Sequence, residues 1–389
     1  MEKLTICLGG DIVPTKINEQ LFVDGDGQGL LGDELLNILT ASDANIFNLE
    51  TPLCDELDPI VKCGPNLHAK SACVKGLKAM HITAMGCANN HTLDQGEKAM
   101  FHTKQLLMEQ GIDAFGIGPN LSEAAKPYII EKNGHKVGIY ACAEHEFTIA
   151  TETKAGANPY DALYSFDHVA ELKAVCDYVI VMFHGGKEYY RYPSPDIQRI
   201  CRRFVEKGAD LVVTQHTHCI GCREDYQNGV IIYGQGNFLF EQSAFGNREF
   251  YANGVLLRIE IEKEMKVEEL PVVMDEKGCL LLAKGHVKEM ITQGYRQRSI
   301  KIKQNSFVEK SYQQFACEAI EGYLRIPLGY LNTNMALRIA NRLLGRRLYF
   351  WLTNRRHKLS VLNVIECEAH RELFICGLKA CISRGKNEI

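Results

Sequence analysis

No apolar run long enough for a signal peptide or a membrane span opens this chain. Met1-Glu2-Lys3 leads at once into Leu4-Thr5-Ile6-Cys7-Leu8, a stretch of strand length. That start predicts a cytoplasmic protein. Proline is scarce, at 11 of 389 residues, and glycine at 33 is ordinary, so neither a disordered nor a fibrous chain fits. Neither sign of charge dominates. A formal net charge of -4 gives no global drive toward nucleic acid, and any basic partner surface has to be local. Internal repeats, low-complexity tracts, a P-loop and a nucleophile elbow are all missing.

Cysteine is plentiful, but paired motifs are not. Of 15 cysteines only Cys219 and Cys222 stand in C-x-x-C spacing, and a zinc ribbon needs a second such pair. Free thiols are expected, with Cys219 and Cys222 lining a turn. A second discounted motif is Gly27-Gln28-Gly29-Leu30-Leu31-Gly32. It matches G-x-G-x-x-G but does not directly follow a clear strand, as a dinucleotide cradle would.

What is present is an ordinary globular balance, 46% hydrophobic and 24% charged, which supports a buried core. The length favours one large domain with a smaller appendage. Val- and Ile-rich runs alternate with helical patterns through about residue 260, the signature of a layered α/β domain. Strands are predicted at Leu4 to Leu8, Asn45 to Asn48, Ile82 to Cys87, Lys136 to Cys142, Tyr178 to Phe183, Leu211 to Thr214 and Val230 to Tyr233. Val255 to Ile261 and Lys266 to Val273 read as a terminal antiparallel pair. Helices are predicted at Asp33 to Thr40, Gly96 to Gln110, Ser165 to Cys176 and Pro195 to Lys207. Residues 1–275 form the α/β domain in this reading, and 290–389 a mostly helical C-terminal region.

In that C-terminal region, Leu337 to Trp351 predicts one amphipathic basic helix carrying Arg338, Arg342 and Arg346. Arg347, Arg355, Arg356 and Lys358 extend the charge, and Tyr349, Phe350 and Trp351 close the apolar side. Such a helix either lies on anionic lipid at the inner face of the membrane or packs its apolar face on the catalytic domain.

In open α/β sheets, ligands sit beyond the carboxyl ends of the strands. Reading those ends in order gives Asp11, Glu50, Asn90 with His91, His184, and His216 with His218. Two carboxylates, an asparagine and several imidazoles suit one or two divalent transition metals held without thiolate, such as Mn, Fe or Zn. Any one of these residues alone reads as a turn residue or a satisfied polar side chain. The set in register does not.

The motifs Gly9-Gly10-Asp11, Asn48-Leu49-Glu50-Thr51-Pro52-Leu53, Ala88-Asn89-Asn90-His91-Thr92-Leu93-Asp94-Gln95-Gly96, His184-Gly185-Gly186-Lys187-Glu188-Tyr189, His216-Thr217-His218 and Tyr233-Gly234-Gln235-Gly236-Asn237-Phe238 resemble those of the bacterial capsule-synthesis CapA family. The resemblance runs from about Leu4 to Ile261. It implies a metallophosphoesterase-like sandwich, two central β-sheets flanked by helices, with a C-terminal helical extension. It also implies that Asp11 and His218 hold one metal, that Asn90, His184 and His216 hold the other, and that Glu50 bridges them. His91 would face substrate and stabilise or protonate a leaving oxygen, with Asp94 orienting its ring. The wider phosphoesterase pattern has a ligand His where this chain has Val13, so the first site is a ligand short. Glu188 and Asn237 are the candidates to complete it. The family's frequent Trp is replaced by Gly185. The implied function is hydrolysis of a phosphoester or an anionic polymer such as poly-γ-glutamate, with no nucleic acid partner. The alternative is a non-catalytic metal-binding accessory of a polymer synthase.

Overall fold

The computed structural model describes residues 2–241, 248–325, 334–345 and 347–366, together with 370, 374, 375 and 378. Two β-sheets form its centre. The first runs, edge to edge, Leu280–Leu282, Met265–Met274, Asn253–Ile261, Leu4–Ile12, Ala44–Leu49, Ala84–Gly86 and Asp113–Phe115, and the short Asn237–Leu239 pairs beside Leu4–Ile12. The second runs Ile220–Tyr226, Gly229–Gln235, Leu211–Gln215, Tyr178–His184, His135–Ala143 and Tyr128–Lys132.

Alternation of side chains along each strand builds the layers. Leu4, Ile6 and Leu8 point into a core shared with Val137, Ile139, Ile180, Met182 and Val213 of the other sheet. The opposite face of the first sheet, through Cys7, Phe47 and Met85, is covered by Leu31, Leu35 and Leu39 of helix Gly27–Ala41 and by Met100 and Leu107 of helix Gly96–Glu109. The outer face of the second sheet, through Tyr140, Val181 and Phe183, is covered by helices Ser165–Val175 and Pro195–Glu206. These layers stack as helix, sheet, sheet, helix, the sandwich the resemblance implied. The central strands of each sheet are parallel. Their carboxyl ends thus converge on one edge.

Several elements differ from the sequence reading. Helix Gly27–Ala41 begins six residues before Asp33, because the Asp26 carboxylate accepts the Gly29 N–H and caps it. The glycine-rich motif is thus helical, with a break at Gly32. Cys222 lies inside strand Ile220–Tyr226 instead of on a turn, because that strand pairs along Gly229–Gln235. Burial pushes the Cys222 thiol well up and the Cys219 thiol up to about 11, so neither is a ready thiolate.

The chain forms two compact units, one ending at Glu309 and one starting at Lys310. Helix Gly285–Lys301 belongs to the first, since Ile291 and Tyr295 are buried in its core and Arg298 Nε donates to the Gly221 carbonyl at 2.7 Å. In the second unit the single helix expected over Leu337 to Trp351 is two, Met335–Leu343 and Leu348–Leu352, parted at Gly345 with φ 59°. A third helix follows at Arg355–Glu366. Arg346 and the side chains of Tyr349 and Arg356 lie outside the described residues.

Candidate metal centre

The first strand reaches the site through Gly9-Gly10-Asp11, and neither glycine tolerates a side chain. A Cβ on Gly9 would stand 2.1 Å from the Phe47 ring, and one on Gly10 would stand 2.3 Å from the Gly236 carbonyl. The strand continues to Ile12, so Asp11 sits within it and not after it. A register shift between Leu8 and Asp11 turns the carboxylate toward the strand ends. There Asp11 Oδ1 accepts from Asn48 Nδ2 at 2.8 Å, and Oδ2 lies 3.6 Å from His218 Nδ1.

Glu50 follows Ala44–Leu49 and is fully buried, yet neither of its carboxylate oxygens has a hydrogen-bond partner. A carboxylate left so in a protein interior costs several kcal/mol, roughly, unless a cation compensates it. His184, the last residue of its strand, places Nε2 at 3.3 Å from Glu50 Oε1 and 3.0 Å from Asn90 Oδ1. Ligand atoms about 2.0–2.2 Å from one ion stand roughly 3 Å apart, so the three atoms fit a shared cation. His216 is buried with Nδ1 unpartnered.

Among the described residues, three sets have ligand atoms within 4.8 Å of one another: Glu50 with His184 and His216, Asp11 with Glu50 and His218, and Glu188 with His216 and His218. Glu50 belongs to two of them. The donors are nitrogen and oxygen only, and the orphaned buried atoms fit divalent transition cations. His216 and His218 hold left-handed backbone, φ 83° and 50°, which non-glycine residues rarely adopt and which the loop after Leu211–Gln215 imposes.

Electrostatics follow from this crowding. Burial, then the like charge of Glu50, pushes the Asp11 carboxyl up to about 6. Burial alone would raise Glu50 too, but the charges of His218 and His184 outweigh it and hold Glu50 well below the usual carboxylate range. His184 would be lowered by burial, yet Glu50 and Asp11 raise it. His216 is driven far down by burial and by its neighbours His184 and His218, and is a neutral, ligand-ready imidazole.

Beside this cluster, His91 Nδ1 lies 2.5 Å from Asp94 Oδ2, which also accepts the Leu67 N–H at 2.6 Å. A carboxylate only accepts, so Nδ1 carries the proton and Nε2 is left free. Two further candidates are also accounted for. Glu188 is half-buried and within ligating reach of His216 and His218, while Asn237 places Oδ1 2.9 Å from His218 Nδ1 and so orients that ring. Val13 is buried, with its N–H donated to the Leu239 carbonyl. At Gly185 a Cβ would meet Glu144 Cγ at 2.7 Å, so the space of a larger side chain is taken by Glu144, whose carboxyl is pushed up by burial.

Sequence reasoning missed Lys62. Its side chain is 2% exposed and its ammonium is ion-paired with Asp94 Oδ1, itself fully buried. Lys62 Nζ also lies 3.2 Å from His91 Nδ1, and both are donors converging on Asp94. Only a lysine in an aperiodic loop marked it. Lys62→Met leaves Asp94 buried with its countercharge gone, and is expected to destabilise the fold by about 3–5 kcal/mol. Equilibrium urea denaturation measures this, and an unchanged midpoint would show that the pair carries no such load.

A family model described as bacterial capsule synthesis protein PGA_cap matches residues 5–242. This chain belongs to that family. Among its relatives, the capsule biosynthesis protein CapA of Bacillus anthracis is 30% identical over 250 residues, 62% of this chain and 61% of that protein. The PGA biosynthesis protein CapA of Bacillus subtilis is 30% identical over 210 residues, 53% of this chain and 55% of that protein. The chain therefore spans no more than 61% of the length of either relative. Among solved structures, a phosphatase from Mycoplasma pneumoniae overlaps with TM-score 0.43 and 18% identity, covering 70% of this chain and 94% of that one. A 5'-nucleotidase precursor from Thermus thermophilus overlaps with TM-score 0.38 and 10% identity, over 78% and 60%. For this PGA_cap member the fold assignment rests on its own two-sheet layering and not on those distant overlaps.

Proposed function

We propose that this chain is a metal-dependent hydrolase of phosphoesterase type acting in capsule or poly-γ-glutamate polymer metabolism. The observation that carries the reading is Glu50, a fully buried carboxylate with neither oxygen hydrogen-bonded and imidazoles against it, shared by two ligand sets beside the His91–Asp94 pair. Asp11, Glu50 and His218 would hold one divalent ion, with Glu188 as a further ligand, and Glu50, Asn90, His184 and His216 the other. Ions held there supply the charge that polarises a phosphoryl oxygen and lowers the pKa of water.

The residues of this chain do the rest. Asp11 and Glu50 offset the positive charge, and their mutual repulsion is relieved by it. Asn48 fixes the Asp11 carboxylate, and Asn89 braces Asn48 through a 3.1 Å bond to its side-chain oxygen. His91 would present Nε2 toward a leaving oxygen, because its Nδ1–H is held by Asp94; the doubly protonated ring would give its Nε2 proton to that oxygen and be left neutral with its remaining proton at Nδ1.

Purified protein loaded in turn with Mn, Fe and Zn ions is the test, assayed on a phosphomonoester, a phosphodiester and poly-γ-glutamate. Metal-dependent turnover of any of these supports hydrolysis. Bound metal with retention of the polymer and no turnover on any substrate would move the assignment to a non-catalytic accessory of polymer synthesis.

A further inference from the structure

Residues 334–366 concentrate charge of one sign. They hold Arg338, Arg342, Arg346, Arg347, Arg355, Arg356 and Lys358 against the single acidic residue Glu366, in a chain whose formal net charge is -4. The helices here turn their apolar side chains outward. On Met335–Leu343, Met335, Ile339 and Leu343 recur at four-residue steps and are 65%, 54% and 82% exposed. Trp351, on the next helix, is 65% exposed, and Leu359, Leu362 and Ile365 line an exposed stripe on Arg355–Glu366. Among the described side chains the buried positions are polar: Asn341 and Thr353. Asn341 Oδ1 accepts the Leu348 N–H at 3.0 Å and ties the first helix to the second. A polar joint inside and an apolar stripe outside reverse the usual pattern of a water-facing helix.

We infer that helices Met335–Leu343, Leu348–Leu352 and Arg355–Glu366 present a docking surface for an anionic lipid bilayer, held at the interface and not across it. Among the described residues no helix is long and apolar enough to cross a membrane. The occupant follows from what the surface offers. Anionic headgroups neutralise the exposed Arg338, Arg342, Arg347 and Arg355, while the acyl boundary takes up Ile339, Leu343 and Trp351. A nucleic acid would meet the arginines and leave the apolar stripe in water. A second copy of the same face would set like charges against one another across a two-fold axis. The surface shares no residue with the metal centre, and its test does not depend on hydrolysis.

Trp351 is the sole tryptophan of the chain, so the intact protein reports on itself. Full-length protein is titrated with vesicles of phosphatidylcholine alone and of equal parts phosphatidylcholine and phosphatidylglycerol, and Trp emission is followed at low and high salt. The expected result is a blue shift with the anionic vesicles only, reversed by salt and unaffected by a metal chelator. Charge reversal at Arg338, Arg342, Arg347 and Arg355 is expected to weaken binding tenfold or more, with metal content unchanged. An unshifted emission at saturating anionic lipid and low salt would overturn the inference. So would an equal shift with phosphatidylcholine alone, or tighter binding to duplex DNA than to the vesicles.

Discussion

Replacing His91 with Asn is expected to leave metal content intact and to lower the hydrolytic rate by about 10²–10⁴-fold, the range for a lost general acid. Asn is the informative substitution because its amide can still donate to Asp94 and fill much of the ring's space, so the Asp94–Lys62 pair keeps a neighbour. What disappears is the free ring nitrogen. The loss is expected in kcat with KM little changed, since the group acts on the leaving oxygen and not on ground-state binding. Loss of metal in this variant would make His91 a structural support of the centre. Equal activity would remove it from the mechanism.

The second large effect concerns the ligands themselves. His184→Ala and His216→Ala are each expected to lower bound metal by at least about tenfold while the protein still unfolds cooperatively. His184 ends its strand and His216 follows one, so their backbone pairing is carried by residues such as Phe183 and Thr214 and survives truncation. The core beneath is untouched. His216→Ala also removes a ring that is orphaned at Nδ1, so the variant gains back part of that cost in the metal-free state. Metal content by elemental analysis, beside a thermal melt of each variant, separates site loss from unfolding. Full metal occupancy in both would refute the ligand assignment.

Much of this centre was legible because strands announce themselves. Runs such as Val179 to Phe183 and Leu211 to Val213 are apolar and buried throughout, and the imidazoles that converge, His184 and His216, stand within three residues of their ends. Parallel pairing sets Asp11 beside Asn48 in one sheet and His184 beside Gln215 in the other, and the packing of the two sheets then brings His184 Nδ1 to 4.0 Å from Asp11 Oδ1. Other features left no periodic trace. Strand Ile220–Tyr226 carries Arg223, Glu224 and Asp225, whose charges hide it, and only its pairing with Gly229–Gln235 makes it a strand. Lys62 stands in a loop, and its burial is decided by where Asp94 lies, 32 residues on. The basic C-terminal segment showed its amphipathic period but not its break, since a glycine at 345 is tolerated inside helices and ends one only in context. Nor could the period say which way the apolar face turns. Asn341, buried as a joint, is a tertiary fact.

The central claim is that Glu50 is the shared carboxylate of a divalent-metal centre. Crystals of the protein soaked in Mn²⁺, with diffraction recorded at an energy where manganese scatters anomalously, test it most directly. The account predicts anomalous density within coordination distance of Glu50, flanked by His184 and His216 on one side and by Asp11 and His218 on the other. Density confined to the protein surface, with none at Glu50 at saturating metal, would contradict it.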